Sequence, residues 1–418
     1  MSGVERERLS RVLAVAEGPI PSAELGVQAV FAALARAGHC DLRVGSSKTP
    51  RSKDVAWADV IVIVRGASPA ERRLLIEGKR LSRRVATYMD DDLERVPAIA
   101  RSGDFYGSPL IRENVGSIVR AADALMVSSE RLGRVLAERH GRAPLLVRQP
   151  RPLDPPSAAP APVSLPAEAV PASSSGAESW QPSIPAPSAS GPVRIGFLGS
   201  VDHADFLDRV LDGPLRRLRA DYGDRVSFVF CGAAPAVADA IGAERHDFIL
   251  GLSAWRQLAR SLRVQIGLAP LPDTPFHRCK YWNKFLEYGS LGIAGVYSAT
   301  PPHADVVVDR ETGLLVPNEP DAWLAALREL VEDRPLRTRI AANAAAIAEG
   351  RFSEAALLPA WLDSLGPLLA HRAPPVAPDD VRIAGGMIRF ARDRLAVYGP
   401  VAFAERAVAR LTGRLRPG

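Results

Sequence analysis

The stretch Val264–Ser298 reads VQIGLAPLPDTPFHRCKYWNKFLEYGSLGIAGVYS. Its first eight residues are an apolar run without alternation, as expected of a strand buried on both faces. Pro272 and Asp273 then signal a turn, a helix-period segment follows to Gly292, and AGVYS returns as a second strand. Strand, helix and strand in that order predict a parallel pair with the helix laid over one face. Within the helix, Lys280, Lys284 and Glu287 fall at i, i+4 and i+7, on one side. Trp282, Phe285, Leu286 and Leu291 around them predict that the helix is largely buried. Buried charges need partners, because desolvation costs several kcal/mol per ion. Spacing leaves two partners open. One is an intrahelical Lys284–Glu287 pair with Lys280 snorkelling to solvent, and the other is an anionic ligand at the positive end of the helix.

The same grammar extends in both directions. Upstream of the stretch lie the strands VRIGFLGS and VSFVFCG, separated by a helix through DFLDRVLDGPLRRLRADYG, and then the helical WRQLARSLR. Downstream come TGLLVP, the helix EPDAWLAALRELVED with Asn318 as its expected cap, and PLRTRIAANAAAIAEGRF. The first 150 residues repeat it with the strands RVLAVA, DVIVIVRG, RVATYMDDDL, ALMVSS and PLLVRQP. Helices lie between them, one carrying Ser68 as N-cap. Residues 151–192 interrupt the pattern: 11 Pro, 9 Ser and 9 Ala with four charged side chains cannot bury enough apolar surface to offset ordering entropy. The expected organisation is therefore an α/β domain over 1–150, a disordered linker over 151–192, a second α/β domain over 193–370 and a tail over 371–418. Two doubly wound Rossmann-like domains joined in this way face each other across a cleft at the carboxyl ends of their strands. Ligands bind at such ends.

At 418 residues, with 47% apolar and 24% charged side chains, the chain is of ordinary soluble composition. It has no apolar run long enough for a membrane span. Cys40, Cys231 and Cys279 lack metal-ligand spacing, so a cytoplasmic protein without structural disulfides is expected. Residues 381–418 hold eight Arg against Asp393 and Glu405, which accounts for the whole formal net charge of +6. Mixed with Ile, Leu, Phe and Val, these arginines suggest a peripheral position on the inner membrane surface. Gly399 and Pro400 break any helix there into two short pieces. Nucleic-acid binding would rest on the basic pI alone, without a recognised motif.

PFHRCKYWNKFLEYGSLGIAGVYS resembles the nucleotide-binding signature of the retaining, family-4-type (group 1) glycosyltransferases of GT-B fold. The resemblance extends to IGFLGSVDHADF, to DVVVDRETGLLVPNEPDAWLAALRELVED, and to ATYMDDDLERVP followed by AADALMVSS. It spans about 85–130 and 193–350 in the order such enzymes have, and is nearest to bacterial enzymes of O-antigen and surface-polysaccharide assembly. It implies that Glu287 binds the nucleotide ribose. The family's other glutamate would fall at Cys279, and its usual diphosphate-holding arginine and lysine are missing after Gly199, where the chain runs Ser200, Val201, Asp202, His203. Arg278, Lys280 and Lys284 are the nearest cationic substitutes, and Ser200 and His203 remain donor-side candidates by position. Cys279 has no paired base in reach and reads as packing.

Asp90, Asp91 and Asp92 follow the strand VATYM and so lie at the ligand edge of the first domain. Asp91 and Asp92 are expected to orient an acceptor hydroxyl or serve as base, against the alternative that one caps the next helix. Arg65, ending VIVIVRG, is placed to stabilise charge on the leaving nucleotide, and Gly18, in EGPIPSAELG, to bring backbone close to the donor. The resemblance implies transfer of a sugar from a nucleoside diphosphate to a glycan or lipid-linked acceptor. Retention, an oxocarbenium-like transition state and no metal or other cofactor are implied with it. The opposing reading is a binding or scaffold protein of the same fold without transferase activity, supported by Cys279 and the missing cations.

Overall fold

The structure is a computed structural model that describes residues 8–18, 20–98, 100, 102–152, 191–199, 204–249, 251–383 and 387–411. Most of the expected linker, 153–190, and both Ser200 and His203 lie outside the described residues. By its contacts the chain divides into two units, residues 1–149 with 360–418, and residues 150–359. The segment from Ala360 onward thus groups with the first unit, and is neither part of the second domain nor a separate tail.

The first unit is built on six parallel strands: β1 (Ser10–Ala16), β2 (Cys40–Ser46), β3 (Val60–Val64), β4 (Arg84–Met89), β5 (Ala124–Val127) and β6 (Pro144–Leu146). They lie in the order β2-β1-β3-β4-β5-β6. Leu13, Val15, Ile61 and Ile63 turn one face of this sheet toward Leu74 and Leu75 of the helix Pro69–Arg80 and Ile118 of Pro109–Ala121. Ser68 does cap the former: its hydroxyl accepts from Glu71 N, and Glu71 accepts from Ser68 N at 2.9 Å, a reciprocal capping box. Strand β2 was not legible in the sequence, because CDLRVGS is a half-exposed edge strand whose polar residues hide the apolar run.

The second unit repeats the design with β7 (Val193–Gly199), β8 (Val226–Gly232), β9 (Glu244–His246), β10 (Ile266–Ala269), β11 (Ala294–Ser298) and β12 (Leu314–Val316). These six are also parallel, in the order β12-β11-β10-β7-β8-β9. One face packs on the helices Ala204–Tyr222 and Pro320–Glu332, the other on Leu252–Ser261, Asn283–Leu291 and Arg334–Phe352. Gly289 lets the last two approach closely, since a Cβ there would lie 2.7 Å from the Ala344 carbonyl oxygen.

Two expectations in this unit fail. The helix after β10 is not continuous: Pro275–Arg278 ends, and a new helix starts at Asn283. Tyr281 and Trp282 are both buried, with ring centroids 4.6 Å apart. Neighbours on a helix point about 100° apart, so a continuous helix would turn one of the two rings away. Lys280 therefore does not share a helical face with Lys284 and Glu287. Asn318, in turn, does not cap the following helix, whose N-cap is Glu319 without a side-chain bond. Its amide instead accepts from Ser298 Oγ at 2.5 Å and donates to the Leu271 carbonyl at 3.0 Å, tying the ends of β10 and β11 together.

Candidate functional site

In a doubly wound sheet, ligands collect at the carboxyl edge where the strand order reverses. In the second unit that point lies between β7 and β10. The helix Asn283–Leu291 delivers Lys284 and Glu287 to it. Lys284 Nζ donates to the Leu198 carbonyl near the end of β7 and to Glu287 Oε2 at 2.5 Å. Of the two partners left open by spacing, the intrahelical pair is the one this structure contains. The pair is not sealed, however, with the Lys284 side chain 22% exposed and that of Glu287 18%. An ammonium has three N–H donors. Two are engaged among the described residues, and the charge stays accessible at the sheet edge.

Around the pair, Gly199 ends β7. Cys231 is buried, and burial pushes its thiol up to about 11, Lys284 and Glu287 pulling in opposite directions. It is no nucleophile. His303, just beyond β11, is buried as well. Burial pushes its pKa down to about 4, partly countered by the Ser298 backbone, so the ring is neutral at pH 7. Its Nδ1 has no hydrogen-bond partner among the described residues. A single histidine in PPHADVVV carried no periodic signal, and the sequence did not single it out. The remaining cations have other contacts. Arg278 forms an exposed pair with Asp273 at 2.5 and 2.8 Å, and Lys280 Nζ lies 4.7 Å from the Phe276 ring centroid. Cys279 is buried, in keeping with a packing role.

In the first unit the order reverses between β1 and β3. Glu17 and Gly18 follow β1, and Arg65 follows β3. Arg65 adopts φ 53°, a left-handed backbone that costs a non-glycine residue about 1–3 kcal/mol and persists only where surroundings over-determine it. Here they do. The guanidinium donates to Ser22 Oγ and Asp91 Oδ2, each at 3.2 Å, and its Nε lies 3.7 Å from Asp90 Oδ1. Burial opposes the charge, but Tyr106, Asp90 and Asp91 outweigh it and raise the pKa further. The adjacent segment Glu24–Gln28 is a turn of π-helix, and a Cβ on Gly26 would fall 2.4 Å from the Tyr88 ring. Such insertions are frequent near functional sites. At Gly18 a Cβ would meet nothing within 4 Å, so no atom among the described residues requires glycine there.

Asp92 parts from its neighbours. Its side chain is buried and accepts two hydrogen bonds from Arg139, both at 2.7 Å, while Arg139 also holds Glu94 at 2.6 Å. Asp92 is thus held by Arg139, whereas Asp90 and Asp91 face Arg65. Asp92→Asn should lower unfolding stability by about 2 kcal/mol, the range for a hydrogen bond to a charged group. Asp91→Asn should cost less, because Asp91 accepts from Arg65 at the longer 3.2 Å and an amide oxygen can still take that bond. Urea unfolding of the two variants checks this, and equal losses would contradict it.

Residues 284–346 match the family described as glycosyl transferases, group 1. No curated protein sequence matches the chain. Among solved structures, Anabaena HepE in complex with UDP and glucose superimposes with a TM-score of 0.54 at 12% identity, covering 85% of this chain and 99% of that one. A glycosyltransferase from Rickettsia africae gives the same TM-score and identity over 87% and 99%. Identities this low speak to fold alone, and the fold is GT-B. The fold is that of GT-B proteins, and within it residues 284–346 resemble the group 1 glycosyl transferases. The matched segment opens at Lys284 and includes Glu287.

Proposed function

We propose that the protein is a retaining glycosyltransferase that moves a sugar from a nucleoside diphosphate donor to a glycan or lipid-linked acceptor in surface-polysaccharide assembly. The observation that carries the reading is the partly accessible Lys284–Glu287 pair at the switch point of the second sheet, within the matched segment. A solely structural pair has no need of that place. On donor binding the ammonium meets the diphosphate, and Glu287 accepts from the ribose hydroxyls. As the glycosidic C–O bond breaks, negative charge grows on the leaving diphosphate, and a fixed cation there stabilises the transition state more than the ground state. Arg278 supports it at small cost, since an exposed pair such as Arg278–Asp273 is worth little, and Lys280 adds a third cation. Neutral His303 offers an N–H without adding charge. With these cations the proposal calls for no metal.

Asp91 belongs to the acceptor side in this reading, and Arg65, held beside it, is the first unit's cation for the leaving nucleotide. The acceptor proton passes to the departing phosphate oxygen, with Asp91 orienting the hydroxyl. HepE was solved with UDP and glucose, so uridine donors are the first to try. No helix among the described residues is long and apolar enough to cross a membrane. Cytoplasmic action, peripheral at the inner membrane, is proposed with the lipid-linked acceptor. Nucleoside diphosphate release from a panel of nucleotide sugars should single out one donor, and proton NMR of the product should show the anomeric configuration of that donor retained. Tight donor binding without release to water or any acceptor would favour the scaffold reading instead.

A further inference from the structure

Among the described residues, 371–383 and 387–398 form no free tail but a strap tied to the helix Pro69–Arg80 and to the residues just after it. His371 Nε2 donates to the Ser82 carbonyl at 2.8 Å, Arg83 to Pro374 at 2.7 Å and Arg80 to Asp380 at 2.6 Å. The Arg382 amide donates to Glu77 at 2.5 Å, and Arg73 holds Asp393 at 2.5 and 3.0 Å. That helix starts four residues beyond Arg65, so the strap arrives at the carboxyl edge of the first sheet. There Arg394 donates to Glu17 and, at 3.0 Å, to the Tyr398 hydroxyl, and Ser108 Oγ donates to the Val397 carbonyl at 3.2 Å. Directly afterwards Gly399, at φ 76°, and Pro400 kink the chain.

The strap brings together half-buried rings. Phe105 packs edge-on against Tyr106 at 5.0 Å and lies 6.3 Å from Tyr398. Arg394 Cζ is 5.6 Å from the Phe105 centroid and 5.7 Å from that of Tyr398, and Arg65 Cζ is 5.9 Å from Tyr106. Cations and carboxylates in the cluster balance four to four: Arg394 and Lys48 share Glu17, Arg65 faces Asp90 and Asp91, and Arg73 pairs with Asp393. Charge so balanced gives little local field to draw an anion into the cluster. It gives adjacent donors and acceptors beside aromatic faces, which suit a neutral polyhydroxyl with one apolar face.

We propose that Arg394 and Tyr398 of the strap complete a carbohydrate-binding subsite with Glu17, Phe105 and Tyr106, and that this subsite selects the acceptor sugar. The proposal rests on the acceptor side being the first unit. Saturation-transfer NMR on the full chain with a panel of methyl hexopyranosides tests it, UDP affinity being measured in parallel. At least one glycoside should receive saturation from the wild type, and Tyr398→Ala or Arg394→Gln should lower that transfer fivefold or more. Tyr398→Phe, which keeps the ring, should retain most of it, and urea midpoints identify a variant that fails to fold. UDP affinity should stay within twofold throughout. No transfer from the wild type, or equal transfer from both variants, overturns the proposal. So does co-sedimentation with phosphatidylglycerol vesicles that Arg394→Gln abolishes. Loss of UDP binding in every sample, with sugar binding intact, would instead count against the glycosyltransferase reading.

Discussion

Lys284→Ala is expected to lower kcat for sugar transfer by about 100- to 1000-fold, corresponding to about 2.7–4 kcal/mol for one lost preorganised group facing the developing charge. Two effects combine. The cation nearest the end of β7 disappears, and Glu287, its partner at 2.5 Å, is left as an uncompensated carboxylate beside the diphosphate. A diphosphate affinity lowered together with kcat distinguishes this from a role in folding. The Lys284→Ala, Glu287→Ala double variant should therefore lose less than the sum of the single losses, because removing Glu287 also removes the repulsion. Initial rates and UDP titrations of all four proteins measure it. Full additivity would mean that the two side chains act independently.

Asp59→Ala should destabilise the first unit by about 2–4 kcal/mol, because several donors lose one fully buried acceptor. The Asp59 side chain is fully buried and accepts from Arg8 at 2.8 and 2.9 Å, from the Arg11 amide at 2.9 Å and from the Ala373 amide at 3.0 Å. Alanine would leave these donors unmet and would release the strap at Ala373. Burial alone would raise the carboxyl pKa. The hydrogen bonds from Arg8, Arg11 and Ala373 outweigh burial and hold it well below the usual carboxylate range. A depressed folded-state pKa means that the unfolded chain binds the proton more readily. The contribution is then complete above about pH 4 and drains away as pH falls further. Chemical denaturation at pH 7 and pH 3 should show a wild-type loss that Asp59→Asn lacks. A wild-type stability as steep in acid as that of Asp59→Asn would sink the assignment.

The fold was legible where buried parallel strands announce themselves, as in VIVIV at β3 and VSFVFCG at β8, both solidly apolar. The edge strands β2 and β9, with three and two exposed residues respectively, carried no such mark. The break at Cys279–Trp282 was hidden for a different reason. Spacing counts residues as though the helix were uninterrupted, whereas packing two adjacent aromatics decides otherwise. At the site, Lys284, Glu287, Arg65 and Asp91 were legible because each follows a strand in sequence. The pairing of Asp92 with Arg139 was not legible, because the two lie 47 residues apart. The contacts of Arg394 and Tyr398 were not legible, because Arg394 meets Glu17 across 377 residues and the tail's mix of Arg with apolar residues pointed to a membrane surface instead.

The central claim is that the edge of the second sheet at Lys284 and Glu287 holds a nucleoside diphosphate. Thermal unfolding of the wild type and of Glu287→Ala, each with a panel of nucleoside diphosphates, tests this most directly. At about 100 times its dissociation constant a ligand adds about 2.7 kcal/mol to native-state stability. The account predicts that one nucleoside diphosphate raises the Tm of the wild type, and that the rise is lost in Glu287→Ala. No rise with any of them, or the same rise in both proteins, would contradict it and leave the Lys284–Glu287 pair a structural one.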